Sequence, residues 1–160
     1  MTGVRYLSRM SQTEIVPPAL ERVLARFRSM GREEKMASLV AYAKKLEPVP
    51  ARLAELDRTG FTVSECQTRV DLFPEAHDGT LHFWADVNVR ESPTVAAVLA
   101  ILFQAVNNQP PAVTLAIPND IVRRLMHDIG LAGREVGLNA MVQRLKRHAA
   151  TAAQADARTN

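Results

Sequence analysis

Between Ser92-Pro93 and the break at Asn107-Asn108-Gln109-Pro110-Pro111 lies an apolar run, Val95 to Ala105, interrupted only by Gln104. A helix that is apolar on every side cannot face water; other elements must cover it. Ser92 supplies an N-cap and Pro93 suits the first helical position, where its missing N–H costs nothing. The run falls short of the roughly 18 apolar residues that span a bilayer, so it reads as the most buried helix of a globular fold.

The chain has 160 residues, 47% of them hydrophobic and 23% charged. A domain of this length hides roughly two-thirds of the surface its unfolded chain exposes, enough for a true core. Aromatic residues make up only 5%, so aliphatic side chains and Ala must fill most of it. The 20 basic and 17 acidic residues leave a net charge of +3. With no long Lys/Arg run and no interleaved aromatics, a nucleic-acid surface is not expected. Neither a membrane span nor an apolar leader is legible, and the expected location is cytoplasmic.

Around the apolar run the elements segregate. Residues 1–15 read as a weakly structured lead-in, and 16–150 as a single domain. Leu20, Val23, Leu24 and Phe27 mark a helix after Pro17-Pro18, which Gly31 is expected to close. A second helix from Arg32 carries Met36, Leu39, Val40, Ala43 and Leu46 as its apolar stripe, with Lys35, Lys44 and Lys45 mostly off it. Glu47-Pro48-Val49-Pro50 stops that helix, and a short turn is expected around Leu53 to Leu56.

Alternation then replaces helical spacing. Gln67 to Phe73 and Leu81 to Val87 flank His77-Asp78-Gly79-Thr80, the signature of a β-hairpin. Phe61 to Ser64 reads as a third strand. After the apolar helix, Asn119 or Asp120 caps a short helix through Ile121, Leu125 and Met126. A loop from Gly130 to Gly137 contains Arg134. A last helix carries Leu138, Met141, Val142 and Leu145, and residues 151–160 read as a disordered tail. The order predicts an α+β fold with a small antiparallel sheet of about three strands packed against flanking helices.

Cys66 is the one cysteine of the chain. It excludes an intramolecular disulfide and any multi-cysteine metal centre within one chain. A single Cys is more often a small buried hydrophobe than a nucleophile. Here Ser64-Glu65-Cys66-Gln67-Thr68-Arg69 gives it no apolar neighbour within two positions, so the thiol is expected to be accessible on a loop feeding the hairpin. Arg69 would favour a thiolate if the loop folds it back, and Glu65 would oppose it. His77, His82, His127 and His148 show no ligand spacing, and no metal is assigned. Asp86 and Glu91 read as surface partners of Arg90. Trp84, opposite Leu81's side of its strand, reads as a packing residue under a helix.

These segments resemble the SufE family, sulfur-acceptor partners of SufS cysteine desulfurases. The resemblance starts at Val16-Pro17-Pro18-Ala19-Leu20 and runs through Gly31-Arg32-Glu33-Glu34-Lys35-Met36, Tyr42-Ala43-Lys44-Lys45-Leu46 and Pro48-Val49-Pro50. It is sharpest at Glu65-Cys66-Gln67-Thr68-Arg69-Val70, which is similar to a Cys-Gln-(Ser/Thr)-x-Val loop. Arg90-Glu91-Ser92-Pro93-Thr94-Val95 and Gly137-Leu138-Asn139-Ala140-Met141 extend it to about residue 149.

The resemblance implies a SufE/IscU-like fold, with Cys66 as persulfide sulfur acceptor and Arg134 as its electrostatic support. It implies a SufS-type desulfurase as partner, a SufBCD-type scaffold as recipient, and pyridoxal phosphate in the desulfurase alone. Where the family commonly reads Arg-Gly after Pro-Thr-Val, this chain has Ala96-Ala97. Two other readings stand beside the carrier: a diverged SufE-like binding adaptor without sulfur transfer, and a thiol-dependent enzyme.

Overall fold

The computed structural model describes residues 16–130 and 133–159; the expected lead-in at 1–15 lies outside the described residues. In chain order the elements are α1 (Pro18–Arg28), α2 (Arg32–Ala43), α3 (Ala51–Ala54), β1 (Val70–His77) and β2 (Thr80–Val87). They continue with α4 (Pro93–Val106), α5 (Pro111–Leu115), α6 (Ile121–Leu125) and α7 (Glu135–Thr159).

The apolar run becomes α4, and Val95 through Phe103 are all buried. α1, α2 and β2 all pack against it, and α5 and α6 in turn pack against α7. Val70, Leu72, Leu81, Phe83 and Ala85 are buried along the hairpin, and the Phe83 ring stacks 6.1 Å from Phe103 of α4. α+β is the observed class.

The hairpin pairs Val70 with Val87 at its open end and His77 with Thr80 at its tip. Asp78 and Gly79 both take positive φ, 48° and 78°, the mirror-image turn that matches the twist of two paired strands. The sheet has two strands where about three were expected. Phe61 to Ser64 supplies one bridge, Thr62 to Asp71, flanked by Val63 N–H to the Val70 carbonyl at 2.9 Å. On β2's other edge, the Asn107 side-chain amide bonds both backbone groups of Phe83, at 2.8 and 3.1 Å. That contact covers an edge that would otherwise be open.

Several helical expectations shift. Gly31 does not close α1 in a left-handed turn; with φ −71° it is the N-cap of α2. The buried face of α2 is Lys35, Leu39, Tyr42 and Ala43, whereas Met36 and Val40 are 42% and 48% exposed. The helix is rotated so that Tyr42 meets Phe27 edge-on at 6.4 Å, and the Lys35 stem goes inward with it. α5 forms directly after the Pro110-Pro111 break. α7 runs on to Thr159, through the segment read as a tail, with no buried residue beyond Ala149.

Candidate functional site

The cysteine sits on a loop pinned at both ends. Val63 and Val70, both buried, close residues 64–69 through their backbone bond. Inside it the Cys66 N–H donates to the Val63 carbonyl at 3.3 Å. Thr68 Oγ1 then lies 2.7 Å from Ser92 Oγ. Ser92 is the N-cap residue of α4, yet its hydroxyl makes no capping bond to the helix; it is buried and holds the loop instead. The start of the most buried helix thereby anchors the cysteine loop.

The opposite wall is the entry to α7. Arg134 is the cap residue, its carbonyl accepting Leu138 N–H at 3.0 Å, and Gly133 turns the chain into it at φ +79°. Gly137, in the first turn, comes so close that a β-carbon there would stand 3.0 Å from Cys66 Cα and 3.2 Å from its Sγ. Glycine lets the helix lie against this backbone without pushing it aside; any β-carbon would have to move it by a few tenths of an ångström. Glu65, Cys66, Gln67 and Thr68 on one side, with Gly133, Arg134, Val136 and Gly137 on the other, enclose a cleft of about 260 Å³.

Within it Cys66 is half-buried and packs against the hydrophobic core. The polarity of its neighbours suggested a thiol open to water; the close approach of α7 is what covers it. Arg134 is half-buried beside it, so the two residues expected to act together share one cleft. Arg134 makes no ion pair among the described residues. Its charge and the N-terminal end of α7 both put positive potential near the sulfur, and exposed Glu65 sets a negative one at the rim.

Arg69 does not fold back toward Cys66. Its Nε lies 3.4 Å from Oδ2 of Asp71. Asp71 is a buried carboxylate that also receives Arg58 at 3.0 Å and the Thr62 hydroxyl. Burial raises the Asp71 pKa, but the bonds from Thr62 and Arg58 and the charges of Arg69 and Arg58 outweigh it and hold the group below the usual carboxylate range. Arg58 also bonds Asp86, so Asp86 is paired there and not with Arg90. Trp84 is half-buried on the face away from the core, under Arg52 of α3 and 4.1 Å from His82. His77, His82 and His127 pair with Asp78, Glu47 and Asp128.

Comparison with known proteins places most of the chain in a family. Residues 21–149 match the family described as SufE, the Fe-S metabolism associated domain. The chain belongs to the SufE family. Uncharacterised SufE-like proteins from two strains of Mycobacterium tuberculosis are each 32% identical to it over 146 residues, covering 86% of this chain and 96% of theirs. A solution structure of a hypothetical protein from Thermus thermophilus superposes with a TM-score of 0.75 at 27% identity, covering 88% of this chain and 99% of that one.

Membership in the SufE family supports a role in iron–sulfur sulfur metabolism. Ala96 and Ala97, where the family commonly has Arg-Gly, are both wholly buried in α4, so no cation arises from that turn. The contribution of Gly137 was visible in the sequence only as part of a motif; nothing in the spacing says that its missing β-carbon faces a cysteine. The Thr68–Ser92 contact joins residues 24 apart and left no sequence signal beyond Ser92's reading as a cap. Among the described residues, no helix is long and apolar enough to cross a membrane.

Proposed function

We propose that this SufE-family protein carries sulfane sulfur on Cys66, taking it from a SufS-type cysteine desulfurase in the cytoplasm and handing it to a SufBCD-type scaffold. The observation that carries the reading is the cleft itself: the chain's one thiol is seated, half-covered, between a pinned loop and the Arg134 turn.

The chemistry is thiol–persulfide exchange. The Cys66 thiolate attacks the outer sulfur of the desulfurase persulfide; a new S–S bond forms at Cys66 as the donor's S–S bond breaks, and the donor cysteine leaves as thiolate. One persulfide is consumed and one formed, so no external oxidant or reductant enters. Pyridoxal phosphate stays with the desulfurase. The lack of a second cysteine suits a carrier, because a neighbouring thiol would discharge the persulfide as a disulfide. No histidine lines the cleft among the described residues, which leaves an independent thiol enzyme without a positioned imidazole base.

The rival is an adaptor that binds the desulfurase while Cys66 stays idle. Cys66→Ser separates the two. The carrier reading expects the variant to bind the desulfurase with unchanged affinity and to lose its stimulation of cysteine turnover. Full stimulation by Cys66→Ser would establish the adaptor.

A further inference from the structure

The described residues bury two charged side chains, Asp71 and Lys35, at 1% and 3% exposure. They are treated differently. Asp71 has two arginines for company. Lys35 has no carboxylate within ion-pair distance among the described residues, and its Nζ makes one bond, to the His127 carbonyl at 2.6 Å. An ammonium withdrawn from water without a counter-charge is costly, and two of its three N–H donors have no described protein acceptor.

Lys35 lines a cleft of about 320 Å³ between α1, α2 and the turn after α6. Leu24 and Phe27 of α1, with Met30, form its apolar wall, and Arg28 stands at its rim without an ion pair among the described residues. The one acid on the wall, Asp128, is bonded through its carboxylate to His127 Nδ1 at 3.0 Å. The cleft shares no lining residue with the Cys66 site. Its size falls at the small end of ligand pockets, which combine apolar walls with a few fixed polar groups.

We propose that this cleft binds a small organic anion. A carboxylate or phosphate headgroup would take the free donors of Lys35 and the charge of Arg28, with an apolar body against Leu24, Phe27 and Met30. The ligand would supply the counter-charge that the described residues do not. The bond to His127 fixes the ammonium in place, so its position does not depend on the ligand.

The test is titration of the full chain with 4-phenylbutyrate, phenyl phosphate and inorganic phosphate, followed by amide and lysine side-chain NMR. Saturable shifts at Lys35, Phe27 and Met30 are expected with one or both organic anions, and their relative affinity decides between carboxylate and phosphate. Inorganic phosphate, lacking the apolar body, should bind at least about fivefold more weakly. Lys35→Met keeps the stem's volume and should weaken binding about tenfold or more. Arg28→Gln, on an exposed position, should weaken it about two- to fivefold without touching the core. No saturable shift up to about 10 mM of any probe, or unchanged organic-anion affinity in both variants, would overturn the proposal.

Discussion

Gly137 and Cys66 are in contact across the cleft: the space a β-carbon would need at 137 is already taken by the cysteine's Cα, Cβ and Sγ, at 3.0 to 3.2 Å. The atom most in the way is backbone, which cannot rotate aside like a long side chain. A larger residue at 137 must therefore displace the loop or the helix start.

Gly137→Ala should lever the loop outward. Alanine favours a helix over glycine by about 1 kcal/mol, so intrinsic propensity acts in the opposite direction and isolates the steric effect. Cys66 alkylation by iodoacetamide is expected to accelerate roughly fivefold or more as the thiol loses its cover. An unchanged rate, with unchanged melting, would show that the loop and α7 are not in contact in solution.

Arg134→Gln tests charge at the same site. Because Arg134 is half-buried and has no described ion pair, its loss should leave the melting temperature within a few degrees, corresponding to about 0.5 kcal/mol or less. The rate with iodoacetate, an anion, should fall about two- to fivefold relative to the rate with neutral iodoacetamide. Comparing the two reagents removes any general change in access.

Asp71 makes a pH-dependent contribution. Its native pKa lies below the usual value of about 3.9 because Thr62, Arg58 and Arg69 together outweigh its burial. The stabilisation is thus fully present above the unfolded pKa and is lost as pH falls through the native one. Asp71→Asn should cost about 2 kcal/mol near neutrality, since it removes the negative charge that faces two arginines and turns one of the two acceptor oxygens into an NH2 donor. The gap between the two proteins in urea unfolding should close below about pH 4.

Much of the frame was legible because local rules and tertiary packing agree there. The Val95 to Ala105 run had to be central, and Asp78-Gly79 had to turn. What the sequence concealed depends on rotation and distance. Lys35 lies next to Met36 on α2, and a stripe drawn through Met36 and Val40 looks as apolar as the real one through Leu39 and Tyr42. Only the packing of Tyr42 on Phe27 and the carbonyl waiting at His127 select between them. The third strand is a single bridge, Thr62 to Asp71, and beside it Phe61 lies 5.0 Å from the Phe73 ring, a contact across the sheet that no local pattern announces. The site was half legible: the polar loop around Cys66 stood out, while its cover by Gly137 came from a helix 71 positions away in number.

The most direct measurement of the central claim is the intact mass of the protein after incubation with its cognate desulfurase and cysteine. The account expects one added sulfur atom, located on Cys66 by peptide mapping, removed by a thiol reductant, and absent from Cys66→Ser. An unmodified Cys66 under conditions where the desulfurase itself carries persulfide would contradict it.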